Sequence, residues 1–586
     1  MIRGDRETLI AEAMLGSQPL ACTRLEWWRG AVFYEVYVRS FRDTTGNGIG
    51  DLRGVTEKLD YLAGLGIDGI WLSPFYQSPQ KDFGYDITDF RSVDPCHGTM
   101  DDVAQLLEEA HSRKLKVLID FVPGHTSDQH PWYLQSRTDR TNPRADWYVW
   151  ADAAEDGGPP SNWLSSFGGS AWTWEPRRSQ YYYHPFLTCQ PALNLQNSET
   201  LEAVIQDLKF WLDMGVDGFR VDAVQCLACD ASFRNNPPAP PEGSHVWIGG
   251  GPNNPFGRQM HLFDRDVPAS VEIMERMRQA ISDYVPERVL IGELADVDSS
   301  RISEKYTVEG RRFHAVYDFD LINAADDTHA LIEKLRLRCE FVRTGWLMNV
   351  FTNHDSVRAV SNLAGFAVER GCSCEAAKML LFLQVTLLGG GILYQGEELG
   401  LTHPKLDYEQ LQDPWGKNLW PDFQGRDGAR TPMPWRADAP DGGFTDGGRP
   451  WLPVVDDHRR CAVDLQEKDP DSCLSFLKEL LQWRQEESLV RCGAERVHGT
   501  QLAPLVVYER YDEQRCLTFV VNFSLEERWF PLQAQMQPLD VIGCASDRSP
   551  RGLRLPGLGF AVVESVSARQ GLAEGRNCGA VTPIET

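Results

Sequence analysis

Several polar residues stand at, or just after, the ends of short apolar runs that have the length of buried strands. They are Asp120, His125, Arg220, Asp222, Glu293, His354 and Asp355. Any one of them alone would more often be a member of a structural ion pair, or a solvated loop residue, than a catalytic group. If the runs are neighbouring strands of one sheet, however, these side chains converge on one volume, and that convergence favours a catalytic site.

Two of these residues, Asp222 and Glu293, form a pair of carboxylates such as cleavage of a glycosidic bond requires. One group protonates the leaving oxygen while the other attacks or stabilises the oxocarbenium-like carbon. We predict the pair on adjacent strands, about 4.8 Å apart, which favours the short carboxyl separation, roughly 5–5.5 Å, of a retaining mechanism. Arg220 lies two residues before Asp222, on the same side of the strand, and should keep that carboxylate ionised. Glu293 follows the apolar run VLIG, which favours the role of acid and then base.

The elements that must position these groups follow a repeating pattern. Between about residues 31 and 394, runs rich in β-branched and aromatic residues alternate with helical-period segments, which predicts parallel strands with crossover helices. The predicted strands lie at 31–38, 69–72, 116–121, 218–222, 289–293, 315–319, 346–351 and 391–395. Eight such units predict an α/β fold, a (β/α)8 TIM barrel, whose strand C-termini share one mouth.

The clearest helix precedes the fourth strand. Its apolar face is formed by Leu201, Val204, Ile205, Leu208, Trp211 and Leu212, after the cap candidates Asn197 and Ser198. These positions recur at helical spacing, and the face should pack on the barrel.

The remaining segments predict further domains. Residues 126–190, after the third strand, should form an inserted lid domain on the active-site side of the barrel. Residues 401–455 are a loop-rich excursion after the eighth strand, and 491–570 predict a C-terminal antiparallel, β-sandwich-like domain. The barrel itself then comprises 27–125 and 191–490, with an N-terminal extension at 1–26 and a tail at 571–586.

Charge and composition exclude several classes of partner. The formal net charge is −26, from 58 basic and 84 acidic residues, which disfavours polynucleotides and anionic lipid surfaces. The N-terminal run MIRGDRETLI lacks a signal-peptide core, and no stretch approaches the roughly 18–20 apolar residues of a membrane helix. The fourteen cysteines include no paired zinc-site spacing. We expect a cytoplasmic protein with reduced thiols and a small-molecule sugar substrate; the oligomeric state stays open.

The ordered motifs resemble a known family. They are GYDI (84–87), DFVPGH (120–125), GFRVDAV (218–224), GE (292–293) and FTNHD (351–355), and together they resemble the α-amylase superfamily of glycoside hydrolases. Its α-glucosidase and oligosaccharidase branch is suggested by WWRGAVFYEVYVRSF (27–41), NWLSSFGGSAW (162–172), QPALN (190–194), YQGEELG (394–400) and RTPMPW (430–435). The resemblance covers residues 27–490, and the combined motifs are far more specific than any one alone.

This resemblance implies roles for individual residues. Asp222 would be the nucleophile, Glu293 the general acid/base and Asp355 the residue that stabilises the transition state through the sugar hydroxyls. The implied glucose-binding subsite comprises Asp86, His125, Arg220, His354 and Arg358. Tyr85, Phe167 and Phe186 would be either apolar walls of that pocket or ordinary core residues. Ala223, directly after the nucleophile, is a small residue of the kind that this branch associates with α-1,4 rather than α-1,6 linkages.

Two positions depart from the family pattern. Gly124 stands where the third-strand motif usually has Asn, and Ala192 stands where the inserted-domain motif usually has Asp. The usual groups help to tie the inserted domain to the barrel, in many relatives through a calcium ion. We therefore predict no metal at that position.

The loop after the first strand is a separate candidate for a metal site. Asp43, Thr45, Asn47, Ile49 and Asp51 alternate with glycines, and they resemble the calcium- or magnesium-binding loop of this branch. Only two of the donors are carboxylates, so the alternative is a tight turn held by its own Asx hydrogen bonds. We expect a structural calcium or magnesium ion here and no cofactor for catalysis.

The expected function is that of an exo-acting α-glucosidase on short oligosaccharides, because the long insertion should close the mouth into a pocket. A transglucosylase, or a sucrose- or maltose-converting isomerase, would use the same covalent intermediate, and the sequence leaves these alternatives open. A third alternative is a non-catalytic interaction module, such as the transporter heavy chains that resemble this branch. It is disfavoured because the chain retains the catalytic groups.

Overall fold

A closed barrel of eight parallel strands forms the centre of the protein. The computed structural model describes residues 26–240, 254–296, 299–324, 327–341, 345–533, 535–540, 547–549 and 552–566; the predicted tail and nearly all of the N-terminal extension lie outside them. The barrel strands are β1 (Val32–Val36), β2 (Gly69–Leu72), β3 (Lys116–Phe121), β4 (Gly218–Val221), β5 (Val289–Leu294), β6 (Ala315–Asp318), β7 (Leu347–Asn349) and β8 (Gly390–Tyr394). Strand β1 pairs in parallel with both β2 and β8, which closes the ring. The predicted (β/α)8 fold is confirmed.

Helices cover the outside of the ring. The helices that follow the successive strands are Leu52–Glu57 with Leu59–Gly64, Met100–Ser112, Ser198–Asp213, Ala269–Ala280, Ser299–Thr307, Thr328–Phe341, Ser373–Thr386 and Cys473–Glu486. The predicted apolar face of Ser198–Asp213 is buried along its whole length. Its N-terminus is capped by Asn197, whose side-chain oxygen accepts from the N–H groups of Glu199 and Thr200, because the first amides of a helix have no partner within it.

Alternation along the strands sorts the side chains into two cores. On β1, Phe33 lies in the cluster inside the barrel, whereas Tyr34 and Val36 pack outward against the helices. On β3 and β5, Leu118 and Ile291 fill the interior. Because side chains alternate with a period of two, the residues two positions further on, at the C-terminal end of each strand, also point inward. The lower barrel is therefore apolar, and a polar layer lies above it.

The segment inserted after β3 has its own small sheet. Its strands Trp150–Ala151, Gln180–Tyr183 and Trp172–Glu175 pair antiparallel, and the helix Pro131–Ser136 precedes them. Trp163 and Trp172 stack with ring centroids 5.5 Å apart in its core. The C-terminal region forms a five-stranded antiparallel sheet and a three-stranded one, which share an apolar cluster. The strands of the five-stranded sheet are Ala494–Val497, Leu505–Tyr511, Arg515–Asn522, Gln537–Pro538 and Phe560–Val566. Those of the three-stranded sheet are Arg528–Pro531, Asp547–Ser549 and Gly552–Leu555.

The 401–455 segment contains little regular structure, as its composition predicts. It includes the short helix Pro414–Leu419 and the 3-10 helices Tyr408–Gln410 and Pro440–Gly443, and it contributes Trp415 and Arg426 to the cavity described below. None of the helices among the described residues combines the length and the apolar character that crossing a membrane would need. The described cysteines are free thiols.

The packing of the helix Ser198–Asp213 generates a stability prediction. Leu208 is fully buried, so Leu208→Ala should lower the free energy of unfolding by about 2–5 kcal/mol through lost burial and a cavity. Gln206→Ala, on the exposed side of the same helix, should change it by less than about 0.5 kcal/mol. Urea unfolding followed by tryptophan fluorescence measures both variants. Equal effects of the two substitutions would contradict the packing described.

Candidate active site

A cavity with an empty volume of about 870 Å³ opens above the C-terminal ends of the barrel strands. Its wall contains Asp222, which directly follows β4, Glu293, which lies near the end of β5, and Asp355, which lies in the loop after β7. Tyr85, His125, Phe167 and Phe186 also line it. The structure thus brings together the three carboxylates that were predicted as catalytic and four of the predicted pocket residues.

Arg220 lies directly beneath this cavity and holds three carboxylates. Its Nη1 is 2.6 Å from Asp120 Oδ1 and 2.7 Å from Asp222 Oδ1, and its Nη2 is 2.7 Å from Glu293 Oε2. The three acids come from β3, β4 and β5, which are neighbours in the ring. One guanidinium therefore sets the distance between the two proposed reacting groups.

The charge of Arg220 does not separate the roles of Asp222 and Glu293 as the sequence argument expected. The guanidinium contacts both carboxylates at the same distance. Burial raises the pKa of Asp222 well above its usual range, and the nearby Arg220 only partly opposes this. For Asp120, burial likewise raises the pKa to about 6 against the effect of Arg220. The single cation of Arg220 does not fully compensate the burial of Asp222 or of Asp120.

Glu293 is held by two further donors. The N–H of Ala223 donates to Oε2 at 2.9 Å, and the hydroxyl of Tyr317 donates to Oε1 at 3.3 Å. Ala223 has φ 42°, in the left-handed region, and this turn directly after Asp222 directs its N–H at the neighbouring strand. A β-branched residue would be strained in that conformation, so the backbone itself favours a small residue here.

Asp355 has a different environment, with two guanidiniums and one imidazole around it. Arg430 donates to Oδ1, Arg426 Nη1 lies 3.3 Å from the same oxygen, and His354 Nε2 lies 3.4 Å from Oδ2. Burial would raise the pKa of Asp355, but the interactions with His354, Arg426 and Arg430 outweigh it and hold the pKa well below its usual range. Asp355 is therefore a fixed anion beside the cavity.

His354 and His125 occupy buried positions near the cavity. His354 lies behind the wall, with Nε2 2.8 Å from the hydroxyl of Tyr85. His125 lies in the wall, with Nε2 3.1 Å from the carbonyl oxygen of Tyr85. Burial lowers the pKa of His125 to about 4, so this imidazole is neutral at pH 7.

Two predicted subsite residues are corrected by the structure. Asp86 does not line the cavity: it is fully buried, and its carboxylate accepts from the Ser78 hydroxyl and from the N–H groups of Lys81 and Asp82. Asp86 therefore holds the turn that precedes it. Arg358 donates to the carbonyl oxygens of Gln395 and Ala429 and lies outside the cavity wall.

Asp82 and Arg426 stand in the wall instead. Arg426 Nη2 is 2.7 Å from Asp82 Oδ1, and the same guanidinium binds Asp413 through Nε and Nη2 at 3.0 and 2.8 Å. Gln190 Nε2 donates to the other oxygen of Asp82 at 2.9 Å. Sequence reasoning missed both residues because each lies in a loop, although Asp82 precedes the GYDI motif and Arg426 precedes RTPMPW.

Aromatic side chains close one side of the cavity. Phe167 stacks on Trp415 with ring centroids 4.6 Å apart, and Phe186 meets His125 edge-on at 5.3 Å. Trp415, from the short helix Pro414–Leu419, is a wall residue that the sequence analysis did not identify. The wall also contains Leu164, Gln225, Cys226, Phe256, Arg265, Ala295 and Phe319.

Main-chain contacts tie the inserted segment to the barrel at the two departures from the family pattern. The N–H of Leu193 donates to the carbonyl oxygen of Gly124 at 2.9 Å, and His125 forms an isolated antiparallel bridge with Ala192. Among the described residues, no cluster of three or more His, Cys, Asp or Glu side chains could hold a metal ion.

The loop at 43–51 uses its acidic oxygens for its own backbone. Asp43 accepts from the N–H groups of Thr45, Gly46 and Gly48 and from the hydroxyl of Thr445. Asp51 accepts from the N–H groups of Thr44 and Gly54, and Asn47 from that of Ile49. These are the Asx-type hydrogen bonds of the alternative interpretation. A metal ion would have to displace them, and the metal site stays a prediction.

Comparison with known proteins places the chain in a family. Residues 35–493 match the catalytic domain of the alpha-amylase family. A relative from Rhizobium meliloti (strain 1021), named "Probable alpha-glucosidase", is 42% identical over 91% of this chain and 96% of its own length. An oligo-1,6-glucosidase from Heyndrickxia coagulans is 35% identical over 85% of this chain and 92% of its own. The chain belongs to the alpha-amylase family, and it is a glycoside hydrolase of the α-glucosidase group.

Comparison with solved structures supports the same family. The crystal structure of the alpha-glucosyl transfer enzyme XgtA superposes with a TM-score of 0.88 at 43% identity, covering 92% of this chain and 100% of that chain. The trehalulose synthase MutB from Pseudomonas mesoacidophila MX-45 gives a TM-score of 0.82 at 31% identity, covering 93% and 100%. The group thus includes enzymes named for hydrolysis and for transfer.

The contacts of Arg426 generate a prediction. Arg426→Ala leaves the buried carboxylates of Asp413 and Asp82 without their guanidinium, which should lower the free energy of unfolding by about 3–5 kcal/mol. Arg460→Ala removes an exposed ion pair with Asp457 and should cost no more than about 1 kcal/mol. Thermal and urea unfolding compare the two variants. A stable Arg426→Ala protein would show that the network is not a structural support of the cavity.

Proposed function

We propose that this protein is a retaining, exo-acting α-glucosidase that hydrolyses short α-glucosides through a covalent β-glucosyl-enzyme intermediate. The observation that carries the proposal is the shared guanidinium: Asp222 Oδ1 and Glu293 Oε2 each lie 2.7 Å from a terminal nitrogen of Arg220. Two carboxylates bridged in this way fit the short separation, roughly 5–5.5 Å, of retaining glycosidases, in which no water stands between nucleophile and sugar.

The proposed reaction has two steps. Glu293, in its protonated form, donates its proton to the glycosidic oxygen while Asp222 attacks the anomeric carbon, so that the leaving group departs as an alcohol and the glucosyl unit is bound to Asp222. Glu293, now a carboxylate, removes a proton from water, which attacks the same carbon and releases Asp222. Asp355, fixed as an anion by Arg426 and Arg430, accepts hydrogen bonds from the sugar hydroxyls.

The shape of the cavity supports action at a chain end. The Asp82–Arg426–Asp413 network, which contacts Asp355, and the stack of Phe167 on Trp415 restrict one part of the cavity, and such a restricted pocket suits one terminal glucose. Ala223 supports the α-1,4 linkage only through its small size. Cytoplasmic location and the lack of nucleic-acid and membrane partners stay predictions.

A second candidate function is transfer of the glucosyl unit to an acceptor other than water. The cavity wall also includes the apolar groups of Leu164, Phe256, Ala295 and Phe319, which offer water few hydrogen-bonding partners and favour an acceptor with apolar surface. The similarity to enzymes named for glucosyl transfer and trehalulose synthesis supports the same alternative.

The nucleophile assignment generates the central prediction. Asp222→Asn should lower kcat by about 10⁴-fold or more, the scale reached when a member of a catalytic unit is removed, while the protein remains folded by circular dichroism. Asp101→Asn, at an exposed helix position, should retain full activity.

Proton NMR of the wild-type reaction should show α-glucose as the first product. Release of β-glucose first would exclude the retaining mechanism.

Hydrolysis and transfer are separated by product analysis. With dilute maltose we expect both sugar units to appear as free glucose, because water then competes well for the intermediate. With concentrated maltose or sucrose, or with an added alcohol, chromatography should detect new glucosides only as a minor fraction. New glucosides as the main product at every concentration would favour the transferase instead.

A further inference from the structure

Glu35 is a buried carboxyl group close to the site that the proposed reaction does not use. It lies near the end of β1, facing the barrel interior, and is fully buried. Its Oε1 is 2.5 Å from His354 Nδ1. Its Oε2 has no hydrogen-bond partner among the described residues, and no arginine or lysine among them forms an ion pair with it. An ionised carboxylate in this position would be poorly compensated.

The plane of the His354 ring is fixed by two aromatic neighbours. Its ring lies parallel to those of Tyr37 and Tyr85, at interplanar angles of 13° and 8° and centroid distances of 5.5 Å. Its Nε2 faces the Tyr85 hydroxyl at 2.8 Å and Asp355 Oδ2 at 3.4 Å. The two nitrogens therefore have fixed partners: Glu35 on one side, and Tyr85 with Asp355 on the other.

The hydrogen atoms in this network can be assigned from the anionic state of Asp355 and from the unpartnered Oε2 of Glu35, which disfavours an ionised Glu35 carboxylate and its imidazolium partner. Asp355 is a fixed anion, so Nε2 must carry a hydrogen, because a lone pair facing that carboxylate would be repelled. The single hydroxyl hydrogen of Tyr85 is then free to go to Asp120 Oδ2, 3.0 Å away. With Nε2 protonated and the imidazole neutral, Nδ1 has a lone pair, and its partner Glu35 must supply the hydrogen. Burial raises the pKa of Glu35 and lowers that of His354, and both shifts agree with a neutral pair.

We propose that Glu35 is a positioning residue that, as a carboxylic acid, donates a hydrogen bond to His354 Nδ1 and so fixes the tautomer whose Nε2–H faces Tyr85 and Asp355, the two groups that present this network to the cavity. The proposal rests on the proposed function, since it assigns Glu35 a role through the glucose-binding side of the cavity. The competing assignment is a structural ion pair between a Glu35 carboxylate and a His354 imidazolium.

Two substitutions separate these assignments. In Glu35→Gln the amide N–H still donates to Nδ1, so kcat/KM for an α-glucoside should remain close to that of the wild type. In Glu35→Leu the donor is lost, and kcat/KM should fall by about tenfold, the rate equivalent of one hydrogen bond. Because Glu35→Leu leaves the buried Nδ1 without a partner, its melting temperature should fall modestly, and circular dichroism should show that the variant is folded. Equal losses in both variants, or full activity of Glu35→Leu, would overturn the proposal.

Nitrogen NMR of protein labelled with ¹⁵N-histidine gives a readout that needs no substrate. The His354 signals, assigned with His354→Asn, should show a protonated Nε2 and an unprotonated Nδ1 in the wild type and in Glu35→Gln, and an altered pattern in Glu35→Leu. Glu397→Gln, at a buried glutamate outside this network, should leave them unchanged. Two protonated nitrogens in the wild type would establish the ion pair instead. Failure of the wild type to cleave any α-glucoside would refute the proposed function without changing this spectrum.

Discussion

The site depends on the burial of one guanidinium among three carboxylates. Arg220 can hold Asp120, Asp222 and Glu293 at hydrogen-bond distance only because β3, β4 and β5 are adjacent and in fixed register. In that register Arg220 on β4 pairs with Asp120 on β3 and with Ile291 on β5. Charges buried together are costly unless their geometry is nearly fixed. The apolar lower layer of the barrel provides that rigidity, because its close-packed side chains leave the strands no freedom to slide.

The cavity has two halves of different electrostatic character. Around Asp222 and Glu293, three buried acids share one arginine. Around Asp355, two arginines contact the same carboxylate, and one of them, Arg426, also binds Asp82 and Asp413. In the proposed reaction, positive charge develops at the anomeric carbon beside Asp222, and the buried carboxylate of Asp222 stabilises it more strongly than water would. The half around Asp355 instead presents a fixed anion to sugar hydroxyls, which suits binding rather than bond cleavage.

Sequence reasoning succeeded where chemistry depends on strand alternation. The eight strands and the inward positions of Asp120, Arg220, Asp222 and Glu293 follow from a period of two and from the shared mouth of a parallel barrel. It failed for Asp86 and Arg358, which the structure places away from the cavity wall. Loop side chains have no such period. In the turn at 81–86, Asp82 points into the cavity wall, whereas Asp86 accepts hydrogen bonds from the N–H groups of the turn itself. Likewise, Arg426 and Trp415 come from the segment with the least regular structure, where no pattern predicts direction.

The irregular segments therefore close the mouth of the barrel, which the strands alone leave open. The strands supply reacting groups at fixed distances, but a barrel mouth is open to solvent. Gln190 from the insertion and Arg426 from the 401–455 segment meet at Asp82, so the two excursions are joined by charge-assisted hydrogen bonds above the site. Closing the mouth in this way lowers the local dielectric around Arg220 and its acids, which strengthens each electrostatic interaction there. The same exclusion of water leaves a buried acid such as Glu35 neutral, and a neutral acid can orient an imidazole without adding a charge to the site.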